Sequence, residues 1–129
     1  MILLDTHIWV WWADESDRLA AAHRQVLTEK HEEGLGVSVI SCWEVAKLVE
    51  CGRLRLGCPV ADWMAGALAA PGIVLLDLTP QIAVASTSLP GPFHKDPADQ
   101  LIVATARVHD IPLLTVDGRI LEYPHVRRV

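Results

Sequence analysis

The chain has 129 residues, with 11 Lys and Arg against 16 Asp and Glu, a formal charge of −5. That length suits a single domain (1–129) able to bury a real core, and 51% apolar with 21% charged residues excludes a disordered chain. The acidic balance also excludes a protein that grips nucleic acid by bulk positive charge.

The residues alternate short apolar runs with helix-like stretches. Ile2-Leu3-Leu4 reads as a buried strand ending at Asp5-Thr6, followed by a short helix over His7–Trp12 and a longer amphipathic one from Leu19 to about Glu32. Gly34-Leu35-Gly36 is expected to stop that helix, and Val37–Ile40 to form the second strand. Ser41-Cys42-Trp43-Glu44 has the S-x-x-E form of a capping box, opening a helix to about Glu50 that Gly52 closes. Ala61–Ala69 reads as a helix, Ile73–Leu76 as the third strand and Pro80–Ser88 as a short helix. Asp96 as cap and Pro97 at the first helical position start a helix through His109. Pro112–Val116 reads as a fourth strand ending at Asp117-Gly118, with a possible fifth near Val126. Strands separated by helices imply a mainly parallel sheet of four to five strands, covered on both faces, in an α/β fold.

The near-apolar stretch Ala65–Leu76 is broken by Pro71-Gly72 and falls short of the ~20 residues a membrane span needs. The opening residues lack the basic region of a secretory signal, so a cytoplasmic protein without membrane attachment is expected. Cys42, Cys51 and Cys58 form no C-x-x-C pair, which argues for free thiols rather than a disulfide framework or a thiolate zinc site.

In a parallel sheet the ligand site lies beyond the carboxyl ends of the strands. Asp5, Glu44 and Asp117 follow strands, and Asp99 lies in the first turn of the helix leading to the last strand. Each has an ordinary structural use: Asp5 and Asp117 in turns, Glu44 in its capping box, Asp96 and Asp99 at a helix start. Together they put four carboxylates on one rim, where like charges repel unless a cation compensates. Oxygen donors without a His or Cys cluster favour Mg²⁺ or Mn²⁺, one or two ions, over zinc.

At these residues the chain resembles the PIN-domain nucleases, and more closely the VapC toxins of toxin–antitoxin pairs. The matching stretches run in family order: Leu3-Leu4-Asp5-Thr6-His7, Val37–Val45, Gly52-Arg53-Leu54, His94–Ala106 and Leu113–Asp117. The resemblance implies a PIN-like three-layer α/β/α sandwich and an endoribonuclease that needs Mg²⁺ or Mn²⁺. Attack on RNA would come from a metal-activated water, leaving a 5′-phosphate. By the same resemblance Asp5 and Asp99 are the principal metal ligands and Glu44 and Asp117 a second acidic pair. Thr6, Asp96 and Thr115 would support them from behind. His94, Lys95 and Arg119 stand where they can touch RNA phosphates, though each also suits a solvated loop. Where the family more often has basic, aromatic and basic residues, this chain has Lys95, Ala98 and Gln100. The resemblance further implies a homodimer and a VapB-like antitoxin bound in a groove near the active site.

Five tryptophans (Trp9, Trp11, Trp12, Trp43, Trp63) read as core or interface packing, with base stacking as the alternative. Other readings of the fold are a non-catalytic PIN-like binding module and another Mg²⁺-dependent phosphate-ester hydrolase. Asp5 is followed by Thr6-His7, not the D-x-D of haloacid-dehalogenase phosphatases, and neither a G-x-S-x-G elbow nor a G-x-G-x-x-G loop is present.

Overall fold

A computed structural model describes residues 1–129. Strand β1 (Ile2–Leu4) leads to α1 (Thr6–Ala13) and α2 (Ala21–Lys30), which ends in a 3-10 turn over His31–Glu33. Then come β2 (Leu35–Ser38), α3 (Val39–Glu50), α4 (Val60–Ala69), β3 (Ile73–Leu76), α5 (Pro80–Ser86), α6 (Pro97–His109), β4 (Leu113–Leu114) and α7 (Gly118–Leu121). The four strands pair in parallel in the order β3-β2-β1-β4.

Strand periodicity divides the core between two faces. Ile2, Leu4 and Leu114 join Ile8, Trp9, Leu27, Val45, Trp63 and others in one cluster, which buries α1, α2 and α4. Leu3 and Leu113 turn the other way, toward Ile102, Val103 and Ala106 of α6, Ile120 of α7, Tyr123 and Val126. Helices on both faces make the three layers that the sequence implied. No helix is long and apolar enough to cross a membrane, and the three cysteine thiols are free.

Several boundaries differ from the sequence reading, each for a local reason. Strand β2 begins at Leu35, because Gly36 pairs beside Leu3 and Val74 and does not end a helix. Helix α3 begins at Val39: Ser38, not Ser41, is its N-cap, its hydroxyl accepting from the Ile40 amide at 3.2 Å. Leu19 precedes α2 as a buried plug in the first core cluster. The expected fourth strand shrinks to Leu113–Leu114, whose partners Leu3 and Leu4 end the short β1 at the same level. Near Val126 no fifth strand forms; the chain makes one isolated parallel bridge, Leu113 to Arg128. Helix α7, absent from the sequence reading, starts where Asp117 caps it.

The chain runs outward from β1 through β2 to β3, then returns by α5 and α6 to place β4 on the other side of β1. That reversal opens a crevice at the carboxyl ends of β1 and β4, the usual place for a ligand in such sheets.

Gly72 lets the chain enter β3. Its φ is +83°, and an added Cβ would lie 2.4 Å from the His31 carbonyl oxygen. Gly72→Ala combines left-handed strain with a backbone clash and should lower unfolding stability by roughly 2–5 kcal/mol. Gly66→Ala, in the exposed face of α4 with open space around it, should leave stability unchanged or raise it by up to about 1 kcal/mol. Urea unfolding of the two variants checks this; equal effects would refute the assignment.

Candidate active site

Parallel pairing brings Asp5 and Thr115 together. The Asp5 amide donates to the Leu114 carbonyl at 2.9 Å, continuing the β1–β4 ladder one residue beyond the strands. Asp5 then caps α1: its Oδ1 accepts from the Thr6 amide at 2.9 Å, and its Oδ2 from the Thr115 hydroxyl at 2.6 Å. Thr115 in turn accepts from the Asp117 amide at 3.0 Å, so one hydroxyl ties two acidic positions.

Glu44 arrives differently from the sequence expectation. With Ser38 as the cap, Glu44 sits in the second turn of α3 and completes no capping box. Its Oε1 accepts from the Thr6 hydroxyl at 2.6 Å, and the buried Ser41 hydroxyl lies 2.8 Å from the same Thr6 oxygen. Ser41 was read as a cap and is instead part of this network. Its position one helical turn before Glu44 in the sequence was the available signal.

Asp99 is buried in the first turn of α6. Its Oδ2 lies 3.2 Å from His94 Nε2, off the line a hydrogen bond needs, and 3.4 Å from Arg119 Nη2. Asp117 caps α7 through Oδ1, which accepts from the Arg119 amide at 2.8 Å, while Oδ2 lies 3.3 Å from the Arg119 guanidinium. Asp96 serves as the α6 cap, Oδ1 accepting from the Ala98 amide at 3.0 Å and the Asp99 amide at 3.4 Å. Gln100 donates to the His94 carbonyl at 3.0 Å and so fixes the loop carrying His94. Lys95 is exposed.

The acids feel one another. Burial, then the charges of Asp5, Asp96, Asp117 and Glu44, push Asp99 up from 3.8 to about 7. Burial raises Asp5 as well, against the hydrogen bonds from Thr115 and Thr6, and raises Glu44 against the Thr6 bond. Asp117 is the exception: burial pushes it up, but the side-chain and backbone bonds of Arg119 outweigh that and leave it lowered. The space among the acids is lined by hard oxygen donors that repel one another, a set that suits a divalent cation such as Mg²⁺ or Mn²⁺. As they stand, no three acidic, imidazole or thiol groups close into a ready cage. Thr115, Thr6 and Arg119 hold the carboxylates instead, and Arg119 supplies positive charge there with its side chain 57% exposed.

Comparison with known proteins identifies the family of the chain. The PIN domain family matches residues 2–126. Ribonuclease VapC22 of Mycobacterium tuberculosis is 38% identical over 128 residues, 99% of this chain and 95% of that protein. Among solved structures, VapBC2 from Rickettsia felis, bound to a DNA fragment from its promoter, superposes with a TM-score of 0.70. It is 16% identical and covers 100% of this chain and 98% of that one. A toxin–antitoxin complex from Klebsiella pneumoniae gives 0.68 at 20% identity, covering 98% and 95%. At such low identities the two structures speak to the fold alone.

The raised Asp99 value fixes a pH dependence without added metal. Between about pH 4 and pH 7 the folded protein keeps a proton that the unfolded chain releases, so stability falls as pH rises through that window. Asp99→Asn removes the titration. Its unfolding free energy should be flatter across this range and should exceed that of the parent protein above pH 7. Denaturant titrations in EDTA at several pH values measure this, and parallel curves would contradict the placement of Asp99.

Proposed function

Because this chain belongs to the PIN-domain family, with a VapC ribonuclease as a near full-length relative, we propose that it is a toxin endoribonuclease dependent on Mg²⁺ or Mn²⁺ and neutralised by a VapB-like antitoxin. The observation that carries the reading is the meeting of Asp5, Glu44, Asp99 and Asp117 at the carboxyl ends of β1 and β4, with Asp99 pushed up to about 7 by burial and the other acids.

Asp5 and Asp99, with Glu44 and Asp117, would hold the cation. Bound there, it supplies a water of lowered pKa and positive charge against an RNA phosphodiester. The residues do the rest. Thr115 fixes one oxygen of Asp5, and Thr6 orients Glu44. Asp96, whose Oδ1 is engaged by the α6 amides, adds charge from behind as the cap. Arg119 and Lys95, both exposed, and His94, half-buried against Asp99, supply contacts for phosphates at the mouth. No side chain need act as nucleophile, because the nearby Ser41 is buried within the Thr6 network.

Two findings support the antitoxin. The related structures are toxin–antitoxin complexes. A cavity of about 700 Å³ between α1, α2 and the end of α4 is lined by Trp9, Trp12, Arg24 and Ala67, a shape suited to a helix or extended peptide. It lies at the far end of α1 from Asp5, so the partner would have to run along that helix to reach the acids. A homodimer belongs to the same reading. The presence of all four acids favours a nuclease over a non-catalytic module.

Mapping RNA ends after brief induction in cells tests the reading. The parent protein should cut at defined sites, and Asp5→Asn should lose at least about 10- to 100-fold of that cleavage, the loss already seen when only a supporting partner of a metal ligand is removed. In vitro, EDTA should abolish activity and Mg²⁺ or Mn²⁺ restore it. Added Mg²⁺ should raise the melting temperature of the parent protein and leave Asp5→Asn unmoved. Cleavage that persists in the variant, or in EDTA, would overturn the proposal.

A further inference from the structure

Four of the five indoles are accounted for by packing. Trp9 and Trp63 are buried with ring centroids 5.0 Å apart, and Trp11 and Trp12 pack against the same cluster. Trp43 belongs to neither core cluster and is 56% exposed. It immediately precedes Glu44 on α3 and stands three residues after Ile40, which places the two on neighbouring positions of one helical face. Across a gap lie Pro97 and Ala98 at the start of α6. Together Ile40, Trp43, Glu44, Asp96, Pro97 and Ala98 enclose a cavity of about 400 Å³.

The chemistry of this cavity narrows its occupant. No cation lines it, and two carboxyl groups do. The amides of Ala98 and Asp99, which would otherwise attract an anion to the start of α6, already donate to Asp96 Oδ1. A phosphate is therefore repelled. A flat ring carrying N–H donors suits this lining, which offers an indole and a proline ring for stacking and carboxylate oxygens as acceptors. Glu44 connects the cavity to the acids, since its Oε1 is held there by Thr6.

Resting on the ribonuclease reading, we infer that this cavity receives the unpaired nucleobase next to the scissile phosphate, stacked on Trp43, with its amino or imino hydrogens directed to Glu44 and Asp96. A base held in a duplex cannot enter. Phosphates remain outside, on the Arg119 side of the acids.

The test uses short fluorescently labelled single-stranded RNAs spanning a mapped cut. Affinity is measured by anisotropy in EDTA, where nothing is cleaved. Trp43→Leu should weaken binding at least about fivefold, while Trp43→Phe keeps most of it, as loss and retention of a stacking ring predict. An abasic residue at the nucleotide flanking the cut should weaken binding to the parent protein by a similar factor and to Trp43→Leu hardly at all. Independent, multiplying losses would overturn the inference, as would parent-protein binding indifferent to the abasic position on either side of the cut. Loss of self-association or of antitoxin binding in Trp43→Leu, with RNA affinity intact, would assign the face to a protein partner and overturn it too. If the parent protein cleaves no RNA, the ribonuclease reading fails first; normal cleavage with unaltered affinity in Trp43→Leu sinks only the base pocket.

Discussion

Asp5, Glu44, Asp99 and Asp117 bring like charge into a space that burial keeps poor in water, and all but Asp117 are harder to ionise there than a free carboxyl group. The surrounding structure is arranged around that repulsion. Several neighbours donate hydrogen bonds to the acids: two threonine hydroxyls, amides in the first turns of α1 and α7, and one guanidinium. The hydroxyls and amides stabilise an anion without neutralising it, and one guanidinium offsets only part of the charge, so an excess of negative charge persists beside Asp99, whose own cation partner is that half-exposed arginine at 3.4 Å. The strands are short, but their termini are pinned by the two cores behind them, and that rigidity keeps the acids together against their mutual repulsion.

Much of this arrangement could be read from the residues. Ile73–Leu76 and Pro97–His109 formed as expected, the first because a four-residue apolar run between Pro71-Gly72 and Thr79-Pro80 has few alternatives, the second because Asp96-Pro97 marks a helix start from its own chemistry. Placement of Asp5 and Asp117 on one rim followed from parallel topology alone. Misreadings arose where one local signal had two outlets. Val39 and Ile40 are β-branched and suggested strand, yet Ser38 caps them into α3. Ser41 and Glu44 have capping-box spacing, yet tertiary contact with Thr6 claims both side chains. The threonine at position 115 lies just past β4, and its hydroxyl donates to a carboxylate 110 residues away in sequence, a contact no local pattern announces. The Arg119 bridge between Asp99 and Asp117 carries no local sequence signal, since it depends on where α6 and α7 meet.

The unequal burial of the indoles has an optical consequence. Trp9 and Trp63 lie against one another in the larger core, Trp63 also donating to Asp14 at 2.7 Å, whereas Trp43 faces water beside the acids. Intrinsic emission is thereby split by environment: a blue-shifted part that follows the integrity of the sheet, and a red-shifted, quencher-accessible part that follows the rim of the crevice. Together with the partly buried Trp11 and Trp12, one spectrum thus carries signals from both the core and the crevice rim, with no dye attached.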